Sequence, residues 1–136
     1  MTLGNDRKYA PVIGVVIINE CLDRGYKINT SKLMKLLYYM QKLHIERYDE
    51  PMFTNEIIAW STGPCIPDVR KFFYYGMLGF NEKVKNLITL MDSHRDVANI
   101  ILKEYGALTP TELMKKSLTV PSEFVLSNVA AASVAI

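Results

Sequence analysis

Apolar residues recur at helical spacing along most of this chain, interrupted by proline and glycine at short intervals. The apolar run at residues 12–18 follows Pro11 and precedes Gly25. This bracketing predicts a helix over residues 11–24, because proline suits a first turn where its missing amide hydrogen would have had no partner. The β-branched stretch at 15–18 fits a buried strand equally well by periodicity alone; its length and its Pro/Gly brackets favour helix. A second helix opens at Asn29 or Thr30 and runs to about Tyr48, before Pro51. Stepping 100° per residue puts Leu33, Leu36, Leu37, Met40, Leu43 and His44 in one sector, with Lys35, Lys42 and Glu46 opposite. Tyr38 and Tyr39 flank the polar pole, either as the edges of a wide core contact or as part of a second packing surface.

Residues 56–60 are short and apolar, bounded by Asn55 and by Ser61, Thr62, Gly63 and Pro64, which reads as a brief extended segment ending in a turn. Pro67 opens a further helix through Tyr75, stopped by Gly76, with Val69, Phe72 and Phe73 inward. Residues 77–85 read as loop. Another long helix runs from Asp92 or Ser93 to Tyr105 and buries Val97, Ile100 and Ile101, with Gly106 expected in the left-handed conformation that ends many helices. Thr109 and Glu112 have the spacing of a capping box, opening a short helix to about Lys116. The pattern predicts a mainly α, compact single-domain helical bundle with a short extended segment or small hairpin around residues 52–62. Residues 1–8 form a flexible N-terminus and 9–119 the domain. The tail at 120–136 is a docking helix or a partly ordered end.

Composition refines this picture only a little. A chain of 136 residues suits one core. The net charge of +2 is spread along the sequence, unlike a basic arm. No stretch approaches the roughly 18 uninterrupted apolar residues of a membrane span. The N-terminal apolar run ends at Asn19 and Glu20 without a small-residue cleavage site, which argues against a signal peptide and for a cytoplasmic protein. Cys21 and Cys65 are far apart and fit buried thiols in a reducing compartment.

The residue types offer little catalytic apparatus. His44 and His94 have no Cys, Asp, Glu or His at three or four residues to complete a metal face, and His44 lies in the apolar sector. Cys65 and a histidine would have to meet in space to form a nucleophile pair, and Cys65 sits between prolines. Neither a glycine-rich nor a Walker-type nucleotide motif is present. The expectation is a non-enzyme without cofactor or metal. Lys32, Lys35 and Lys42 with Tyr38 and Tyr39 would make a basic aromatic face for nucleic acid, but Glu46, Asp49 and Glu50 dilute it, so nucleic acid is disfavoured.

Several pieces in order, the helix motif at 30–41, Tyr48 with Pro51, Met52 and Phe53, the segment at 56–60, the turn at 63–69 and Tyr75 with Gly76, resemble the Panacea antitoxin domain, also described as SocA-like and frequent in phage-associated proteins. The likeness spans about residues 9–119. It implies a mainly helical domain that neutralises a protein partner by direct binding, typically a toxin encoded beside it, or delivers the partner to an ATP-dependent protease as an adaptor. Lys32, Lys35, Leu36, Leu37, Tyr38 and Gln41 match the helix motif; Trp60, Gly63, Pro64, Pro67 and Val69 match the turn motif. Most are expected to be structural, with Trp60, Gly63 and Pro64 fixing the turn against the second helix. Expected contacts to the partner are Lys35, Tyr38, Tyr39, Lys42, Tyr74 and Tyr75. Members often continue after residue 119 with His and then Trp, whereas this chain reads Val120, Pro121, Ser122, Glu123, Phe124. The divergent tail and the loop at 77–91 are therefore where partner choice is expected to reside. Two rival readings are a phage-encoded inhibitor of a bacterial defence protein and a nucleic-acid-binding regulator. The sequence leaves the oligomeric state open.

Overall fold

A computed structural model describes residues 7–61, 63–76 and 89–117, without the side chains of residues 74–76, 114, 116 and 117. In order it contains α1 (Ala10–Asp23), α2 (Thr30–Tyr48), β1 (Ile58–Trp60), β2 (Gly63–Cys65), α3 (Pro67–Gly76), α4 (Asp92–Tyr105) and α5 (Pro110–Ser117). The fold is mainly helical, with one small antiparallel hairpin in which Ile58 faces Cys65, Ala59 faces Pro64 and Trp60 faces Gly63. The loop at 77–91 falls mostly outside the described residues, and the tail at 120–136 wholly so.

The ambiguous β-branched run is helical in α1. It begins with Pro11 in its first turn and ends at Arg24, followed by Gly25 at φ +75°, a conformation that glycine adopts without a Cβ penalty. α2 is capped by Asn29, whose side-chain oxygen accepts from the Lys32 amide at 2.8 Å. It stops at Asp49, a left-handed residue with φ +57°. Leu33, Leu36, Leu37 and Met40 are fully buried, each contributing about 1.5–3 kcal/mol of apolar burial.

One inward face does not describe α2, however. It touches α1, α3, α4, α5 and β2, so burial extends around most of its circumference. Lys32 and Lys35 are 1% exposed and Tyr38 is fully enclosed. The outward placement expected for Lys35 and Tyr38 is thereby corrected: a central helix buries its polar positions too, because neighbours approach from every side. Tyr39 is half-buried and stacks on Tyr105, with ring centroids 4.6 Å apart and planes 10° apart. Tyr39 thus belongs to a second packing surface, facing α4.

Polar side chains tie these elements together. Gln41, buried in α2, accepts from the Met52 and Phe53 amides at 2.6 and 3.2 Å and donates to the Phe53 carbonyl at 2.9 Å. It therefore supplies three hydrogen bonds to a loop with no regular partner of its own. Asn55 accepts from the Ala10 amide at 2.8 Å and donates to Asp68 at 2.7 Å, joining the starts of α1 and α3. The capping box of α5 forms as its spacing predicts: Glu112 accepts from the Thr109 amide and the Thr109 hydroxyl accepts from the Glu112 amide.

Three expectations about individual residues are revised. Gly106 is right-handed, with φ −61°. Its lack of a side chain matters for space, since a Cβ there would press on the Leu102 carbonyl and lie 2.6 Å from the Tyr26 ring. Phe72 is 40% exposed rather than inward, leaving Val69 and Phe73 as the apolar face of α3. Ile100 is only half-buried, beside the buried Val97 and Ile101 of α4.

Candidate functional site

The two motif segments meet at a cleft of about 240 Å³ lined by Thr30, Ser31, Met34, Lys35, Trp60, Pro64 and Arg70. The Asn29 cap fixes where α2 starts and so puts Thr30 and Ser31 in its first turn. Met34 and Lys35 follow four residues later on the same side, as helical spacing requires. The hairpin register presents Trp60 and Pro64, and Pro67 starts α3 so that Arg70 falls one turn in. The Ile66 amide contacts Met34 Sδ at 3.4 Å, which holds the hairpin's end against α2. Buried Gly63 has φ +115°, again a glycine-favouring value, and carries the chain into β2.

Trp60, expected to help fix the turn against α2, is 43% exposed; Gly63, Pro64, Cys65 and Ile66 are the buried residues there. The Arg70 guanidinium lies 5.1 Å from the Trp60 ring centre, a cation–π arrangement that stiffens an exposed aromatic side chain.

Two lysines three residues apart have different surroundings. The Lys32 ammonium donates to the carbonyls of Lys27 at 2.5 Å and Gly106 at 2.6 Å, with the Tyr26 ring centre 5.9 Å away. It staples the start of α2 to the end of α4 and is consumed by that task. The Lys35 ammonium donates to the Ser31 hydroxyl oxygen at 2.7 Å, its single hydrogen-bond partner among the described residues. Burial pulls both lysines below the ordinary lysine range, opposed for Lys32 by Cys21 and Glu112 and for Lys35 by Cys65 alone. No described carboxylate lines the cleft.

The remaining candidates sort clearly. Leu36, Leu37, Gln41 and Val69 are core, and Pro67 begins α3. Lys42 is half-buried. Tyr74 and Tyr75 lie in α3, with side chains outside the described set. Because Lys32 and Lys35 are interior, the Lys32, Lys35 and Lys42 face weighed and disfavoured for nucleic acid is not presented as a surface. The place of Arg70 over Trp60 depends on the hairpin, which periodicity does not reveal.

His44 is a satisfied core histidine, its Nδ1 2.6 Å from the Glu50 carbonyl and its Nε2 2.9 Å from the Ser93 hydroxyl. His94 packs edge-on against it with centroids 5.2 Å apart, and its buried Nδ1 has no hydrogen-bond partner among the described residues. Burial, then the His44 ring and the charges of Lys8 and Arg7, lower the His94 pKa to about 4. Cys21 and Cys65 are buried free thiols; burial pushes Cys21 up to about 11 and raises Cys65 as well. Among the described residues no group of three or more His, Cys, Asp or Glu could hold a metal ion, and no helix is long and apolar enough to cross a membrane.

The arrangement suits recognition: an exposed aromatic ring, a guanidinium over it, hydroxyls, and a buried cation behind them. Comparison with curated proteins and with solved structures found no match. The family model described as "Antitoxin SocA-like, Panacea domain" matches residues 33–119, which include most of α2, the hairpin, α3, α4 and α5. The chain belongs to the antitoxin SocA-like Panacea domain family.

Proposed function

We propose that this protein is a non-enzymatic antitoxin module that works in the cytoplasm by direct contact with a cognate toxin protein, using the face around Trp60 and Arg70. Family membership over residues 33–119 is the observation that carries this reading. The chemistry is consistent with it. The histidines and cysteines, the residue types best suited to acid–base or nucleophilic work, are all buried. The raised Cys21 and Cys65 thiols are held away from the reactive thiolate form. Aromatic residues and arginine are the types that most often anchor a protein interface, and the cleft offers one of each side by side.

The test is co-expression with the product of the adjacent gene, followed by affinity purification of this chain. Rescued growth together with a co-purifying complex supports the proposal. A neighbour that is toxic and remains so, with no complex recovered, refutes it.

A further inference from the structure

A buried ammonium with one hydrogen-bond partner is a costly arrangement. Lys32 shows how this fold compensates such a group: two backbone carbonyls at 2.5 and 2.6 Å take up its charge. Lys35 lies equally deep yet has, among the described residues, only the Ser31 hydroxyl. Ammonium carries three donors, so two are left without a described partner, and an under-bonded buried charge loses hydration without recovering it. This lysine lines a cleft rather than a closed core. The missing interactions can therefore come from outside.

The cleft's other groups point the same way. Because Ser31 Oγ accepts from Lys35, its own hydroxyl hydrogen is directed elsewhere and is available to a ligand. The Lys32 amide is taken by the Asn29 side chain and the Leu33 amide by the Asn29 carbonyl. Thr30 and Ser31 are thus left with the first-turn amides that have no intrahelical partner, at the positive end of a 19-residue helix. Arg70 adds a second cation at the rim. A negative group is called for, and its size is bounded: about 240 Å³ is below the roughly 300–1,000 Å³ of sites that enclose drug-sized ligands. Met34, Pro64 and the Trp60 ring supply an apolar wall for a short hydrocarbon stem. A carboxylate on a methylene chain fits donors on one side and carbon on the other. A phosphate group has more oxygens to satisfy and no use for that wall.

We propose that this cleft binds a peptide carboxylate of the partner protein, an acidic side chain or a chain terminus, which hydrogen-bonds to Ser31 and pairs with Lys35 and Arg70 while its stem lies against Trp60. This deepens the antitoxin reading and rests on it for the identity of the partner. The binding chemistry is testable without the partner.

Trp60 is the only tryptophan in the chain, so intrinsic fluorescence reports on this cleft. The purified full chain is titrated with four probes: acetyl-Gly-Leu-Glu-amide, its Gln counterpart, acetyl-Gly-Gly-Leu as the free acid, and its amide. Acetate and inorganic phosphate are run alongside. A saturable change in Trp60 emission is expected with the acids and not with the neutral counterparts. The more effective acid then tells side chain from terminus. Lys35→Met is expected to weaken the response about tenfold or more, the range for losing a charged hydrogen bond. Ser31→Ala, with its fold checked by circular dichroism, serves as the second variant and is expected to weaken it severalfold. Equal responses to acid and neutral peptides, tighter saturation by phosphate, or no saturation by about 10 mM, well above a weak millimolar site, would each overturn the proposal. Peptide failure with growth rescue intact removes this inference alone. Peptide binding without rescue removes the antitoxin reading and leaves the site.

Discussion

Replacing Lys32 by methionine separates a lysine that builds the fold from one that does not. The side chain is 1% exposed, and its ammonium makes two short bonds, to Lys27 and Gly106 carbonyls. Hydrogen bonds to a charged group are worth about 1.5–3 kcal/mol each, and a carbonyl left buried without a partner costs about 1–3 kcal/mol. Against this, methionine fills much of the same volume and removes the cost of burying a charge, which is why replacing a whole buried ionic group can be mild. Here the carbonyl partners stay behind. The net expectation is a loss of about 2–4 kcal/mol, or a fall in Tm of roughly 5–15 °C for a domain of this size. Lys35→Met breaks one bond, to a half-buried hydroxyl, and removes an under-compensated charge, so its Tm should change by no more than about 3 °C or rise. Thermal unfolding followed by circular dichroism on both variants reads the difference. Equal losses, or a larger loss for Lys35→Met, would refute the division of labour between the two lysines.

Other expectations follow from single groups. His94 stays neutral in the folded chain down to about pH 4 but titrates near 6.5 when unfolded, so below pH 6.5 the unfolded state binds the extra proton and stability falls as pH drops through that window. At about pH 5 the cost is about 2 kcal/mol; urea titrations should show it in the native chain and show it reduced in His94→Met. Cys21, at about 11 when folded against 9.0 unfolded, works in the opposite direction: the folded state keeps its proton, so stability declines between pH 9 and 11, less so in Cys21→Ala measured against its own neutral-pH value. Gln41→Leu strands three backbone groups at Met52 and Phe53 and should cost at least about 3 kcal/mol by urea denaturation. Gly106→Ala has no room beside Tyr26 and Leu102 and should cost about 1–3 kcal/mol in the same assay.

Much of the helical framework was legible because its signals are local. Asn29 caps α2, Pro11 and Gly25 bracket α1, and Thr109 with Glu112 box the start of α5; each acts within a few residues. The short extended segment was readable from Asn55 and the residues at 61–64, though its pairing with 63–65 was not. The failures share a cause in tertiary contact. A helical wheel assigns Lys35 and Tyr38 outward by polarity, but α2 has neighbours on most sides and encloses them. Gly106 carried the signal of a helix terminator, while its reason is the approach of Tyr26 from 80 residues earlier in the chain. The exposure of Trp60 and its pairing with Arg70 depend on the hairpin and α3 coming together, which no local signal carries. Asn55 marks a segment boundary in the sequence, but its bridging bonds carry no local signal, since its partners Ala10 and Asp68 are distant in sequence.

The proposed function separates a buried framework from an exposed face around Trp60 and Arg70. Growth rescue in cells expressing the toxic neighbour, scored for Arg70→Glu and Trp60→Ala chains whose melting temperatures match the native protein, tests this most directly. Rescue and complex recovery are expected to be lost while the fold is kept. Undiminished rescue by both variants would contradict that separation.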